Sequence, residues 1–443
     1  MNSNQNQDKN LIGLFTAISI VVANIIGTGV FTSLGFQAID IKSGFALLFL
    51  WMIGGIIALC GALSYGELAA VMPRSGGEYH YLSKLYHPAV GFLSGWISAT
   101  VGFAAPIALS AMALGKYLQE VFPFINQEAV ALIVVIVISL IHSRDLKIGS
   151  YFQDASTILK IVMIVGLIIC GFLLGKPQNI NFLPSSTDVN VILSQPFAVS
   201  LVFVMYAYSG WNASIYLANE VKEPEKTIPR SLIVGTLIVM LLYILTNFIF
   251  LYTTPIAALA ASQEKVGAVA ANNIFGEFGG NIMSLLISFG LISSISSMVW
   301  AGPRVTQVIG EDIPFFKILA KTNAKGIPYY AILLQLAIVV VLIITASFES
   351  VVTYLGFTLT LSSFLTVLGV FIHRFKYPEF PRPYKTWGYP ITPIIFLSIT
   401  LWMLIFTMQG KPIESIAGLV TILIGLPVYF IASKNSLISS SDS

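Results

Sequence analysis

One glycine-punctuated stretch constrains the fold of this chain more than any other feature. Asn24–Phe31 lies in the middle of an apolar segment at about 11–38, and Gly27 and Gly29 flank Thr28 there. Each glycine costs about 1 kcal/mol relative to alanine in a helix. We predict two half-helices, because broken backbone inside a membrane is tolerated where its freed N–H and C=O groups line a cavity or bind a ligand. The alternative is that the glycines let a neighbouring helix approach closely.

A second interruption lies inside a later apolar segment, at about 196–218. It covers Tyr206–Asn212, with Ser209 and Gly210 at its centre. Two interrupted segments at matching positions of two halves are typical of the binding sites of secondary transporters. The pair therefore favours a functional interpretation over close packing alone.

The composition places the chain in a membrane. Of its 443 residues, 56% are hydrophobic and 10% are charged, and the mean hydropathy is +0.86. A soluble domain could not cover that apolar fraction with polar surface. The net charge of +3 comes without an arginine-rich patch, so we expect no nucleic-acid partner. Cys60 and Cys170 lie in apolar runs, which indicates neither a disulfide framework nor a metal site, and we predict no cofactor.

Apolar runs of about 17 to 25 residues predict twelve membrane spans. The predicted spans are approximately 11–38, 44–70, 89–121, 128–142, 151–174, 196–218, 230–253, 280–302, 328–347, 350–373, 391–409 and 414–433. With the N-terminus inside, most lysines and arginines fall in cytoplasmic segments. The positive-inside rule therefore predicts a multi-pass protein of the cell membrane with both termini cytoplasmic. We expect the first helix to remain uncleaved.

The two interruptions open two sets of five spans that have opposite topologies. We therefore predict an inverted repeat, with its first unit at 11–174 and its second at 196–373. The last two spans, at 391–433, lie outside the repeat, and the ends 1–10 and 434–443 are predicted to be tails. The predicted fold class is an all-α membrane bundle in which the first and sixth helices are discontinuous.

The first interruption offers donors for an anion. If the segment breaks after Ile26, the half-helix that begins near Gly29 points its N-terminus at the cavity, and its unpaired N–H groups attract a carboxylate. Gly27 leaves this backbone unshielded, and the Thr28 hydroxyl adds a donor. The preceding half-helix ends near Ile25 with free carbonyls that suit an ammonium group.

The second interruption adds acceptors for a cation. Its first half-helix ends with free carbonyls from Tyr206 to Ser209, next to Gly210. Together the two breaks match the charges of an α-amino acid zwitterion. Because neither break contains an acidic residue, a neutral substrate side chain fits better than a cationic one.

Three side chains of the second interruption each allow two interpretations. Tyr208 and Trp211 either cap the pocket as an aromatic gate or pack within the bundle, as membrane aromatics commonly do. Asn212 either bonds the substrate or bridges backbone groups. The sequence alone does not separate these interpretations.

Lys160 is a basic residue within a predicted span. It lies about nine residues inside the fifth span, roughly 14 Å along the helix axis, so one interpretation is that it snorkels to the cytoplasmic interface. In the other, it faces the bundle interior and its ammonium takes the place of a bound sodium ion. It would then bridge first-span carbonyls to eighth-span hydroxyls, for which the candidates are Ser293, Ser296 and Ser297. Its protonation would in that case be coupled to transport.

Several motifs resemble those of one transporter family. Ile26–Phe31 looks like its Gly-Ser/Thr-Gly signature, and Ala62–Ala69 with Pro73–Tyr79 looks like its motif between the second and third helices. Tyr208–Asn212 with Asn219–Pro224 resembles its sixth helix and the following loop. The combination is similar to the amino acid, polyamine and organocation (APC) transporter superfamily. The Gly-Trp-Asn of the sixth span is similar to the L-type branch, whose members carry or exchange neutral amino acids.

The resemblance implies a LeuT-type bundle with 5+5 inverted repeats. It implies that Thr28 and Gly29 bind the substrate carboxylate. It also implies that three backbone carbonyls bind the substrate amine, those of Ile25, Tyr206 and Ser209.

The resemblance also bears on coupling and on partners. Lys160 matches a fifth-helix lysine at a position that is used for sodium in relatives. Eukaryotic L-type members use an external cysteine after the third span to bond a partner glycoprotein. Pro123–Gln127 contains no cysteine here, so we expect no disulfide-linked partner subunit.

These observations predict a secondary active transporter that moves neutral L-amino acids by alternating access, either as an exchanger or driven by protons. Sodium coupling is less compatible with a lysine at the ion position, and uniport stays open. The alternative is a carrier of cationic amino acids or polyamines, which needs an acidic pocket residue from another helix. An ion channel or a multi-pass membrane enzyme is disfavoured, because neither a polar ring nor a cluster of convergent titratable groups is visible.

Overall fold

The structure of the protein is a computed structural model that describes residues 11–144 and 146–441. Helices make up most of that part of the chain. They are α1 (Leu14–Ile25), α2 (Gly29–Asp40), α3 (Gly44–Val71), α4 (Glu78–Leu85), α5 (Pro88–Ile97), α6 (Ala104–Val121), α7 (Gln127–His142), α8 (Leu146–Leu174), α9 (Asp188–Ile192), α10 (Gln195–Tyr208), α11 (Pro224–Thr253), α12 (Ile256–Ser262), α13 (Val266–Asp312), α14 (Tyr329–Thr345), α15 (Phe348–Lys376), α16 (Ile391–Gly410) and α17 (Pro412–Ser441). A π-helical turn (Ser98–Gly102) joins α5 to α6, and a 3₁₀ helix (Ala213–Glu220) follows α10.

Nine helical segments among the described residues are long and apolar enough to cross a membrane, and α7 and α14 are shorter apolar helices. The predicted sixth span is divided between α10 and the 3₁₀ helix that follows it. Two helices extend furthest beyond their predicted spans. α13 begins at Val266, with a positive φ of 76° at Gly276 that turns the chain before the span, and α17 extends to Ser441. The predicted tail at 1–10 lies outside the described residues.

The first apolar segment is interrupted where its glycines predict a break. α1 ends at Ile25 and α2 begins at Gly29. Ile26 leaves helical geometry with φ −72° and ψ 87°, although its N–H still bonds the Val22 carbonyl at 2.9 Å. The predicted pair of half-helices is confirmed at this position.

The second interruption begins after Tyr208, the last residue of α10. Ser209 is not helical, with ψ 147°. Gly210 has φ +96°, a backbone angle that residues other than glycine rarely adopt. A Cβ at Gly210 would lie 2.8 Å from the carbonyl carbon of Asn24. The two interruptions therefore lie against each other, and glycine is required at position 210 by both the backbone angle and the contact.

Gly29 has a packing role in addition to its place at the break. A Cβ built there would lie 2.4 Å from the Cα atom of Ala207, so α2 and α10 cross at this point with backbone against backbone. A Cβ at Gly27 would lie 3.8 Å from its nearest side-chain neighbour, the Ser294 hydroxyl. Close helix approach, the alternative explanation of the two glycines, thus applies at Gly29 and not at Gly27.

The helices around the two breaks pack against one another in pairs. α3 lies along α11, and α6 lies along α13. α1 packs on α11, and α10 packs on α3, so the contact of the first span with the seventh is repeated by that of the sixth with the second. Trp51, Tyr208 and Tyr243 are fully buried between these helices, which places the core of the bundle beside the interruptions.

We expect Gly29→Ala to lower the melting temperature of the protein. The added methyl group must displace the backbone of α10, and overpacking of this kind costs about 1–3 kcal/mol. Gly27→Ala is the matched control, because it lies two residues away and has room for the same group. Thermal unfolding of the purified proteins in detergent measures both. Equal melting temperatures would contradict a close crossing at Gly29.

Candidate functional site

A cavity lies beside the second interruption and reaches the first. Its volume is about 80 Å³, several times the roughly 10–15 Å³ that one water molecule needs. Asn24 borders it from α1, and Ser98 and Gly102 border it from the π-helical turn. Such turns interrupt regular helices and are frequent at functional sites. The cavity can therefore hold a small organic molecule between broken elements of three helices.

The predicted binding residues of the second interruption border this cavity. They are Tyr206, Ser209, Gly210 and Asn212. The predicted residues of the first interruption do not border it, and they are Ile25, Gly27, Thr28 and Gly29. The reason is the side chain of Tyr206, whose hydroxyl lies 2.5 Å from the Thr28 hydroxyl. The tyrosine ring stands between the cavity and the start of α2.

The backbone N–H and C=O groups at the first break differ in whether they have hydrogen-bond partners. The first N–H groups of a helix have no partner within that helix, and those of Thr28 and Gly29 find no backbone acceptor elsewhere among the described residues. The Ile25 carbonyl, which was predicted to bind an amine, accepts a hydrogen bond of 2.7 Å from the Tyr243 hydroxyl of α11. A carbonyl oxygen has two lone pairs, so this bond leaves one acceptor position, and the contact with an amine stays a prediction.

Lys160 faces the interior of the bundle and is 2% exposed. Its ammonium donates to the carbonyls of Ala23 and Ile26 at 3.2 and 2.8 Å, and to the Ser294 hydroxyl at 2.7 Å. The contact with first-span carbonyls agrees with the interior position that was predicted. Snorkelling is excluded by this burial and these three bonds.

The hydroxyl that meets Lys160 belongs to Ser294 and not to the three predicted serines. Ser296 lies 2.7 Å from the His142 imidazole, and Ser297 donates to the Ser294 carbonyl at 2.8 Å. The Ser293 hydroxyl is buried without a hydrogen-bond partner among the described residues. Each residue turns a helix by about 100°, so the sequence could predict a serine on α13 without predicting which one faces α8.

The two candidate gate aromatics occupy different surroundings. Trp211 borders the cavity and packs edge-on against Tyr65, with ring centroids 4.6 Å apart. Tyr208 does not border the cavity, because its hydroxyl donates to the Trp51 carbonyl at 3.3 Å and its ring lies against Tyr243. Residues two apart on a helix face nearly opposite directions. Since Tyr206 faces the cavity, Tyr208 faces away from it and packs within the bundle, which is the second of its two interpretations.

Glu78 is a cavity residue that the sequence did not identify. It begins α4 and is 3% exposed, and it accepts hydrogen bonds from the hydroxyls of Tyr65 at 2.6 Å and Tyr216 at 3.0 Å. Gly76 and Gly77 precede it with φ of +109° and +53°, so they let the chain turn the carboxylate inward. A glycine pair before an acidic residue was the available signal.

Asn212 contacts Glu78 and one of the tyrosines that bond it. The Asn212 amide donates to the Glu78 carboxylate at 3.2 Å and to the Tyr216 hydroxyl at 3.1 Å, so it bridges side chains rather than backbone groups. Burial raises the pKa of the Glu78 carboxyl, and the hydrogen bonds from the two tyrosines and the asparagine oppose that rise. No group of histidine, cysteine and acidic residues able to hold a metal ion occurs in the described part of the chain.

Comparison with known proteins gives consistent matches over nearly the whole chain. A family model described as amino acid permease matches residues 12–427. The serine/threonine exchanger SteT of Bacillus subtilis (strain 168) is 28% identical over 436 residues, which cover 97% of this chain and 98% of that protein.

Two animal proteins are similar to the same extent. The b(0,+)-type amino acid transporter 1 of Homo sapiens is 29% identical, with 95% of this chain and 87% of that protein covered. The large neutral amino acids transporter small subunit 2 of Mus musculus is 28% identical, with 96% of this chain and 81% of that protein covered. The names of all three relatives describe carriers or exchangers of amino acids.

We expect Ser294→Ala to destabilise the protein and Ser293→Ala to leave its stability unchanged or slightly higher. Ser294 bonds both Lys160 and the Ile26 carbonyl, and hydrogen bonds that involve a charged group contribute about 1.5–3 kcal/mol. Ser293 is an equally buried neighbour that loses no bond. Thermal unfolding in detergent compares the two. A larger loss in Ser293→Ala would show that a different serine faces α8.

Proposed function

Since this chain belongs to the amino acid permease family, we propose that it is a secondary active transporter of neutral L-amino acids that works by alternating access. It is a multi-pass membrane transporter and not an enzyme. The observation that carries the proposal is that the two broken helices meet at one cavity, with Gly210 against Asn24. Interrupted helices that face each other present unpaired backbone groups to a substrate.

In the proposed binding mode, the substrate carboxylate bonds the N–H groups of Thr28 and Gly29 and the Thr28 hydroxyl. These groups form the N-terminus of α2, which attracts anions. Tyr206 now bonds the Thr28 hydroxyl, so its ring must swing aside when substrate enters. The proposed acceptors of the amine are the carbonyls of Ile25, Tyr206 and Ser209. Those of Ile25 and Tyr206 each accept one hydrogen bond already, from the Tyr243 hydroxyl at 2.7 Å and from the Ser209 N–H at 2.9 Å, and a carbonyl oxygen has a second lone pair that can accept from the ammonium group.

We further propose that Lys160 fills the position that would otherwise hold a cation. Its ammonium bonds two carbonyls at the end of α1 and a hydroxyl of α13. A bound sodium ion would need the same oxygen ligands. Transport would then be driven by amino acid exchange or by protons, and not by sodium.

The proposed architecture has twelve spans arranged as two inverted repeats at 11–174 and 196–373, with two further spans at 391–433 and both termini in the cytoplasm. The mirrored contacts of α1 with α11 and of α10 with α3 support this arrangement. We also propose that the chain works without a disulfide-linked partner. Its cysteines are Cys60, which is buried in α3, and Cys170 in α8.

Uptake into proteoliposomes tests the function. The purified protein is reconstituted, and uptake of radiolabelled serine, threonine, leucine and alanine is measured with and without the same amino acid inside. An imposed proton gradient or sodium gradient replaces the internal amino acid in parallel samples. Stimulation by internal substrate indicates exchange, and stimulation by acid outside indicates proton coupling. Absence of uptake of every amino acid would overturn the proposal.

We expect Thr28→Val to raise the KM for neutral amino acids by roughly tenfold or more. Valine has the same shape but cannot donate, and a hydrogen bond to a charged group contributes about 1.5–3 kcal/mol. Thr32→Val is the matched control, because the Thr32 hydroxyl donates to the backbone carbonyl of Thr28 in its own segment. The carboxylate site at α2 is refuted if both variants keep the KM of the unmodified protein.

A further inference from the structure

Glu78 is a buried carboxylate in the wall of the cavity, and it has no cationic partner among the residues that the structure describes. Its donors are all neutral: the hydroxyls of Tyr65, Tyr216 and Ser363 and the amide of Asn212. Among the described residues that border this cavity there is no lysine, arginine or histidine. Burying an ionised carboxylate without an opposite charge is costly, so this arrangement needs an explanation.

A second buried carboxylate in the same protein shows the usual solution. Glu67 is 1% exposed and lies in α3. It forms a two-bond ion pair with Arg374 at 2.8 and 2.7 Å, and Arg382 lies 3.5 Å away. The fold therefore supplies cations to a buried carboxylate at one position and supplies none at the cavity.

The hydrogen bonds around Glu78 favour the ionised form. An ionised carboxylate only accepts, and its two oxygens have about four acceptor positions. Four groups donate to Glu78, namely the hydroxyls of Tyr65, Tyr216 and Ser363 and the NH2 group of Asn212, and that NH2 group cannot accept a proton from a neutral carboxyl group. Asn212 and Ser363 border the cavity themselves, so a donor on a substrate side chain would reach the carboxylate by replacing one of their bonds.

The position of Glu78 suits contact with a substrate side chain. Ser209, whose carbonyl is a proposed amine ligand, is three residues from Asn212, and three residues span at most about 10 Å. The turn between them is compact, because the Ala213 N–H bonds the Gly210 carbonyl at 2.9 Å. A side chain that extends past Asn212 would reach the carboxylate to which Asn212 is bonded.

We propose that Glu78 selects substrates by the charge of their side chain. The cavity would accept cationic side chains and neutral side chains that carry hydrogen-bond donors, and it would reject acidic ones. The proposal rests on the proposed function and widens its substrate class from neutral amino acids to cationic ones. It supplies the acidic pocket residue that a carrier of cationic amino acids requires, and that residue comes from α4 rather than from either interrupted helix.

The test is a competition panel with reconstituted protein. Uptake of labelled serine is measured against unlabelled lysine, alanine, threonine and glutamate in the unmodified protein, Glu78→Gln and Glu78→Asp. Glutamine keeps the size of the side chain and one carbonyl acceptor but removes the charge, whereas aspartate keeps the charge. Glu67→Gln is the matched control, because it neutralises a buried carboxylate that does not border the cavity.

We expect lysine to compete in the unmodified protein and to lose about tenfold or more relative to alanine in Glu78→Gln, with glutamate gaining. Removing one charge near a ligand of opposite charge has an effect of this size. Glu78→Asp should keep the preference for lysine over glutamate. Glu67→Gln should change all competitors by the same factor, whatever its effect on stability.

Three outcomes would overturn the charge-selection proposal while the proposed function stands. One is serine uptake with the same competitor ratios in Glu78→Gln as in the unmodified protein. Another is an equal loss of competition by every competitor in Glu78→Gln while Glu78→Asp behaves as the unmodified protein. That result would indicate that Glu78 only stabilises the structure of the site. The third is unchanged ratios with a lost dependence on external pH, which would indicate a proton-carrying group. Absence of serine uptake in the unmodified protein would instead overturn the proposed function.

Discussion

The structure depends on how broken backbone is paired inside an apolar bundle. A helix that stops leaves carbonyl groups without partners, and lipid or apolar side chains supply none. At the end of α1 these carbonyls are met by the Lys160 ammonium, the Ser294 hydroxyl and the Tyr243 hydroxyl. The donors come from α8, α13 and α11. Side chains of three other helices therefore stabilise the non-helical backbone at the break.

The carbonyl groups and the N–H groups at the first break differ in their hydrogen-bond partners. The carbonyl side is filled with fixed donors, one of them charged. The N–H side, at Thr28 and Gly29, has no backbone partner among the described residues, and Tyr206 bonds the Thr28 hydroxyl beside it. Free donors at a helix start attract an anion, and this supports the proposed position of the substrate carboxylate. The carbonyls proposed for the amine lie at both breaks, at Ile25, Tyr206 and Ser209.

A polar network ties the second break to the turn before α4. Asn212 and Tyr216 bond Glu78, and Asn219 exchanges two hydrogen bonds with Ser75. The 3₁₀ helix Ala213–Glu220 thus moves only together with that turn, unless these bonds break. The cavity carboxylate is part of this same network, so the residue proposed to contact the substrate side chain also holds the 3₁₀ helix in place.

The sequence by itself determined the class of the protein and the places where its helices break. Apolar runs fix which segments enter a membrane, and Gly27, Gly29 and Gly210 weaken a helix whatever surrounds them, because these effects are local. Only the tertiary structure decided which side chains reach the breaks: Ser294 and not its neighbours, Tyr206 and not Tyr208, and Glu78 from a short helix far away in sequence. Those outcomes depend on the rotation of each helix about its axis and on turns such as Gly76–Gly77. Packing between distant segments sets both, and one sequence does not encode such packing in any local pattern.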